Sequence, residues 1–337
     1  MVRGTVPALR EAAAPGDDIV ELHPHAGSGS ALRTIGRASG ALARLAYEQL
    51  ALPRHARDVD TVHLFDARAP LMIDKPVVLT VHDVSYLDCP QWFSRGAARY
   101  KALMLAASLR RRPAAVVCDS ELTRERLLAH HHEIAGPIRV EVVRPGVAPP
   151  PPRPEVAEPE RPFFLTVATI EPRKNHLGLL RAFRQARADG LDLDWKVVGA
   201  DGHCAPTIRP ALEETDGVHV LGAVDDAELE RLYATATFLA APSLLEGFGY
   251  PPLEAMARGV PVIASAGGVF DETLGDAALR VDPLDSGGWA AALRGLSDDE
   301  RHRADLVRRG REQARRFPWA RTAEALMAIH RDAVEPD

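Results

Sequence analysis

The stretch PSLLEGFGYPPLEAMARGVPVI, residues 242–263, decides how this chain is read. The apolar run before it, 237–241, has the composition of a buried strand. It leads into an acid, Glu246, then a glycine-rich turn, then a helical segment that opens with prolines. Proline at the first helical position has the fixed φ that a helix needs and gives up no useful N–H. The N–H groups of such a turn and helix start form an anion site suited to a diphosphate. Gly247 and Gly249 let the backbone approach a ligand with no Cβ in the way. Glu254 is expected in the first helical turn, where the dipole stabilises a carboxylate and ribose hydroxyls can donate to it. Either glutamate alone reads as a solvated acid at a helix start. With the glycines and prolines between them, the stretch reads as a ligand site.

Outward from this stretch, short apolar runs alternate with helical patterns. In the first half, strands are expected at 18–22, 61–65, 76–81, 114–118 and 138–143, with helices over 31–52, 95–111 and 120–131. In the second half, strands at 163–167, 195–198, 219–221, 237–241, 260–264 and 278–281 alternate with helices over 177–189, 226–235 and 252–258. This alternation predicts an α/β chain of mostly parallel sheets with helices on both faces. Between the halves runs a proline-dense segment, from Pro145 through Pro149 and Pro154 to Pro162. Proline at that density prevents helix and central strand and favours a stiff connector. The expected organisation is a first Rossmann-like domain over 1–148, a linker over 149–161 and a second Rossmann-like domain over 162–337. The last helix is a candidate to pack back on the first domain. Two such domains are expected to face a central cleft, and ligands of open parallel sheets bind at the carboxyl ends of the strands.

A chain of 337 residues is long for one domain and comfortable for two. With 46% apolar and 26% charged residues it is ordinary for a globular protein, not a disordered one. A net charge of −6 argues against a dedicated nucleic-acid binder. Segment 94–112 nevertheless carries Arg95, Arg99, Lys101, Arg110, Arg111 and Arg112 with no acid. It fits either an acidic membrane surface or a solvated helical face. Cys89, Cys118 and Cys204 are odd in number and form no CxxC, which fits a reducing compartment. Without a signal-peptide pattern or a run long enough to span a bilayer, the expected location is the cytoplasm, with the inner face of the membrane as the peripheral alternative.

Two further elements carry chemistry. The first is TIEPRKNH, residues 169–176, directly after the first strand of the second half. Adjacent Arg173 and Lys174 at a strand's carboxyl end can neutralise a leaving diphosphate. The second is His82-Asp83, at the end of a first-half strand, where His82 would look across the cleft. Alone, each reads as an ordinary turn or a structural histidine.

Together these residues resemble the retaining two-domain glycosyltransferases of family four, which have the GT-B fold. The resemblance covers nearly the whole chain. Its motifs are AYEQLALP at 46–53, VHD at 81–83, DSE at 119–121 and EPRKN at 171–175, then Leu232-Tyr233, Pro242-Ser243 and FPW at 317–319. The specific signal is Glu246 and Glu254, eight residues apart around Gly-Phe-Gly. The resemblance implies an acceptor-binding first domain and a nucleotide-sugar-binding second domain. It implies that Arg173 and Lys174 bind the diphosphate, Glu246 the donor sugar and Glu254 the ribose. Main-chain groups of Phe248, Gly249, Tyr250 and Pro251 would line the phosphate and sugar site, and His82, with Asp83 beside it, would sit at the sugar. No metal ion or other cofactor is implied beyond a GDP- or UDP-sugar co-substrate. The EPRKN variant looks most like transferases of mannose and similar hexoses onto polysaccharide, lipid-linked or small-molecule acceptors.

The chain departs from the family at its start. Residues 1–9 look like the helix that follows the family's first strand and glycine-rich loop, so the first domain is expected to lack its N-terminal strand. Gly27-Ser-Gly29 comes too late to replace the loop. Smaller departures are Ala168 where glycine is common and Phe270-Asp271 where Leu-Pro is usual. These departures leave open a rival reading, an inactive relative that binds nucleotide sugar or a partner enzyme.

Other signals are set aside. Asp192-Leu-Asp194 has the DxD spacing of metal-dependent transferases but precedes a strand, so it reads as a polar turn, as does Asp58-Val-Asp60. Consecutive histidines at 130–132 on a helix point about 100° apart and cannot converge on one ion. No GxGxxG follows a strand, and no Gx4GK[ST] is present.

Overall fold

A computed structural model of the chain describes residues 2–15, 17–20, 51–69, 73–157 and 159–334. They divide into two compact units: the described residues up to 87 with 96–146 and 319–334, and 88–95 with those of 147–318.

The first unit holds a four-stranded parallel sheet in the order β1 (Val62–Leu64), β2 (Val77–Val81), β3 (Ala115–Cys118), β4 (Val140–Val142). The runs VVLTV and AVVC are buried throughout. Near-continuous β-branched runs are what a strand covered on both faces requires. Helix Glu121–Ala135 follows β3 and is capped by Ser120, whose Oγ accepts from the Thr123 N–H at 3.1 Å. Helix Val2–Ala12 and the last helix, Trp319–Val334, join this core through Ala8, Leu9, Ala323, Leu326 and Met327 against Val78 and Val117.

The second unit holds a six-stranded parallel sheet, β10-β9-β8-β5-β6-β7. Its strands are β5 (Phe163–Val167), β6 (Asp194–Val198), β7 (Val218–Gly222), β8 (Leu239–Ala241), β9 (Val262–Ser265) and β10 (Leu279–Val281). Phe164 anchors its core, stacked 5.3 Å from Phe238 and 5.7 Å from Trp195. The strand order reverses between β5 and β8, which makes the carboxyl ends of these two neighbours a topological switch point. EPRKN follows β5 and the Glu246 turn follows β8. The topology alone therefore brings together segments some 70 residues apart.

Several expectations change. Residues 17–20 form no strand, while 21–22, Gly27–Gly29 and 31–50 lie outside the described residues. Asp194 is no polar turn. It is the first residue of β6, 8% exposed, with its carboxylate on His219 Nε2 at 2.9 Å. The helix through 130–132 is not regular, because His131 leaves helical geometry at φ −134°, ψ 31°. In the proline run, Arg153 donates to the Ala234 carbonyl at 2.6 Å. Helices Ala205–Glu213, Ser286–Asp298 and Glu300–Ala314 were not anticipated. No helix among the described residues is long and apolar enough to cross a membrane.

Candidate active site

After β5 the chain makes a 3-10 turn, Pro172–Lys174, closed by Asn175 in the left-handed region at φ 56°. Asparagine is among the few residues that tolerate this conformation, and its Nδ2 donates to the Pro283 carbonyl at 2.8 Å. The turn aims Arg173 and Lys174 toward the end of β8. The two loops are tied by the Leu244 N–H, which donates to the Arg173 carbonyl at 2.8 Å.

Glu246 is the centre of the cluster. Its Oε2 accepts from Arg173 Nη1 at 3.0 Å, and its Oε1 accepts from Ser243 Oγ at 2.8 Å and from Lys174 Nζ. Arg173 Nε also pairs with Glu171. Lys174 is 8% exposed, a burial that ammonium tolerates only when paired. Burial alone would raise the Glu246 carboxyl. The charges of Lys174 and Arg173, with hydrogen bonds from Lys174 and Ser243, outweigh it and hold the carboxyl below its ordinary range. Two cations and two carboxylates thus form a cluster whose formal charges cancel.

Next to this cluster, helix Tyr250–Ala257 begins at Gly249, which has φ 89°. A Cβ at Gly249 would stand 2.6 Å from the Phe270 ring, so backbone angle and space both demand glycine. The helix starts two residues earlier than expected. Its first residue is therefore Tyr250 and not a proline, and Glu254 lies in the second turn and not the first. Pro251 and Pro252 carry no N–H, so among the first residues of this helix they add no backbone donor. Phe248 turns its side chain into the core, edge-on to Phe317 at 5.6 Å, and leaves only its main chain to meet a ligand.

Glu254 is backed by groups that the sequence reading missed. Arg258 Nε bonds both oxygens of Glu230, at 2.8 and 3.0 Å, and its guanidinium lies 5.0 Å from the centre of the Tyr233 ring. Burial raises the Glu254 carboxyl, with Arg258 opposing and Glu230 adding to the shift. The spacing of Glu254 and Arg258, four apart on a helix, was the available signal.

The first unit carries His82 and Asp83. Asp83 Oδ1 accepts from the Ser85 N–H at 2.9 Å and from its hydroxyl at 2.5 Å, a local turn just before helix Ser85–Asp88. The His82 ring is held on both sides. Its Nδ1 meets Asp119 Oδ2 at 2.8 Å, and its Nε2 lies 3.0 Å from the Phe65 carbonyl. Asp119, only quoted within a motif above, is thus the main partner of His82.

Two parallel α/β units, the second with a charged cluster at its switch point, define a glycosyltransferase fold of the GT-B class. Sucrose-phosphate synthase of Thermosynechococcus elongatus shares it, with a TM-score of 0.72 at 22% identity over 100% of this chain and 93% of that one. So does HepE of Anabaena, solved with UDP and glucose, with a TM-score of 0.65 at 17% identity over 90% of this chain and 83% of that one. Residues 9–189 match Glycosyltransferase Family 4, and residues 152–313 match Glycosyl transferases group 1. The chain belongs to glycosyltransferase family four. Among curated relatives, O-antigen chain mannosyltransferase B of Escherichia coli is 30% identical over 72% of this chain and 66% of its own length. A D-inositol 3-phosphate glycosyltransferase of Salinispora tropica is 34% identical over 70% of this chain and 58% of its own. The MMP alpha-(1->4)-mannosyltransferase of Mycolicibacterium hassiacum is 32% identical over 51% of this chain. The chain spans less than two thirds of the length of these relatives.

Proposed function

We propose that this protein moves a hexose, with mannose favoured, from a GDP- or UDP-sugar to a glycan, lipid-linked or small-molecule acceptor, retaining the anomeric configuration and using no metal ion. The observation that carries this reading is the Arg173–Lys174–Glu246 cluster at the switch point, beside the start of helix Tyr250–Ala257. Departure of a nucleoside diphosphate builds negative charge on its phosphate oxygens. Preorganised cations and backbone N–H groups in a site with little water meet that charge at no cost in reorganisation. Arg173 and Lys174 supply the charge that a divalent ion supplies elsewhere, Glu246 orients the donor sugar, and Glu254 accepts from the ribose. The family resemblance assigns His82 to the donor sugar, with Asp83 shaping the loop after it.

Two of the relatives above are mannosyltransferases by name, which supports mannose. The name of the D-inositol 3-phosphate glycosyltransferase supports a small-molecule acceptor as well as a glycan. Helix Arg95–Arg110 presents Arg99, Lys101 and Arg110 beside exposed Tyr100 and Leu103, a surface suited to an acidic membrane on the cytoplasmic side. The test is calorimetry with GDP-mannose, UDP-glucose and the free diphosphates, followed by transfer and hydrolysis assays in chelator. Binding followed by turnover that retains the α-anomer supports the reading. Binding with neither transfer nor hydrolysis makes the protein a nucleotide-sugar binder.

A further inference from the structure

His82 and Asp119 are 37 residues apart in sequence and side by side in space, for a reason set by the sheet. Parallel pairing of β2 with β3 aligns Val81 with Cys118, so the residues just past these strands stand abreast. Phe65 follows β1, the neighbour of β2 on the other side. Three adjacent strand ends therefore place a backbone carbonyl, an imidazole and a carboxylate in a row.

Each contact constrains the ring. A carbonyl oxygen only accepts, so Nε2, 3.0 Å from the Phe65 oxygen, carries a proton. Nδ1, 2.8 Å from Asp119 Oδ2, shares a second proton with a carboxyl group that is 4% exposed. A carboxylate so buried needs a charged or donating partner. The His82 side chain itself is 40% exposed, so one edge of the ring still faces outward. We propose that Asp119 is a positioning residue: with the Phe65 carbonyl it holds His82 as an imidazolium whose two nitrogens are both committed. The ring then offers charge to a bound sugar and accepts no proton from an acceptor hydroxyl.

The surrounding groups agree with this assignment. Burial would lower the imidazole, but the hydrogen bond and charge of Asp119, the Phe65 carbonyl and the charge of Asp83 together raise it. Burial raises the Asp119 carboxyl against the pull of His82. On β1, His63 stacks on the Phe65 ring at 4.1 Å, and burial together with the neighbouring His330 and His82 keeps it neutral. Among the described residues, the charges acting on His82 are the carboxylates of Asp119 and Asp83, and His63 on β1 adds no cation.

The proposal deepens the reading in which His82 faces the donor sugar, and its first test does not depend on that reading. In the full chain labelled with 15N-histidine, His82 is assigned by its loss in His82→Gln. Both ring nitrogens should still bear protons at neutral pH, above the midpoint of about 6.5 at which an ordinary imidazole loses one. In Asp119→Asn the midpoint should fall, and Asp119→Glu, which keeps the charge, should restore part of the shift. A wild-type His82 with one bare nitrogen at neutral pH overturns the proposal, and that result needs no variant to fold. An unchanged titration in Asp119→Asn overturns it equally. In turnover, Asp119→Asn should lower kcat by about 10-fold or more, because a misplaced group at a reacting centre costs up to about 100-fold. The alkaline limb of its pH profile should move to lower pH, while affinity for the nucleoside diphosphate stays the same. Unchanged kcat and profile would contradict the role assigned here. An intact His82 spectrum in a protein that turns over no nucleotide sugar would defeat the transferase reading and leave the Asp119 contact standing.

Discussion

Lys174 and Glu246 form a buried ion pair across the switch point of the second sheet, and Arg173 binds the other oxygen of the same carboxylate. The site's two cations are therefore held by an internal anion. A diphosphate reaching them would meet Glu246 as a competitor for the same donors.

This relationship gives the first prediction. Glu246→Gln keeps the shape and removes the charge, so Lys174 and Arg173 become stronger anion binders. Nucleoside diphosphate affinity measured by calorimetry should rise or hold, while transfer falls about 100-fold as a preorganised site loses a sugar contact. A matched loss of diphosphate affinity would show that Glu246 serves the nucleotide and not the sugar.

Acid should weaken the second unit through the same carboxylate. Its folded pKa lies below the ordinary value, so its contribution is present above the unfolded pKa of about 4.3 and is lost as pH falls through the folded value. Thermal melts below about pH 4.3 should decline less steeply in Glu246→Gln than in wild type. Equal slopes would mean that the ion pair contributes nothing to folding.

The first unit should be acid-sensitive over a different window. His330 Nε2 lies 3.1 Å from His63 Nδ1, His63 Nε2 bonds Thr80 Oγ1 at 2.7 Å, and His330 Nδ1 lies 3.1 Å from Thr61 Oγ1. Burial pushes His330 down to about 4. A histidine lowered in the fold stabilises it above the unfolded pKa of about 6.5, and that stability is lost as pH falls toward the folded value. Helix Trp319–Val334 should loosen between about pH 6.5 and 4, read by hydrogen exchange, and His330→Gln should flatten this dependence.

Much of this could be read before the structure, and what could not has a common cause. Strands β2, β3, β5 and β8 announce themselves as apolar runs, and the residues after β5 and β8 stood out as the site. Asp119 stayed in the background because only the Val81–Cys118 register joins it to His82, and a single sequence does not print register. Glu230 behind Arg258 was hidden in the same way, by 28 residues of intervening chain. Asp194 reads as a polar turn because it precedes the apolar run at 195–198, whereas it opens β6 and its partner His219 arrives from β7. Proline favours first turns and points to a helix start at 252, but Gly249 at φ 89° already turns the chain before Tyr250.

Gly249→Ala tests that turn. Backbone strain at a positive φ costs on the order of 1–3 kcal/mol, and the contact with Phe270 adds to it. Denaturant unfolding should shift by at least that much, and diphosphate binding should weaken as the helix start moves. A variant as stable as wild type would mean that the turn relaxes without loss.

The account rests most directly on Lys174. Calorimetry of GDP and UDP in excess chelator, on wild type and on Lys174→Ala, measures its central claim. Wild type should bind one of the two without any divalent ion, and Lys174→Ala should lose on the order of 1.5–3 kcal/mol of that affinity, the worth of a charge-assisted hydrogen bond. Binding that requires manganese, or a folded Lys174→Ala that binds as tightly as wild type, would contradict it.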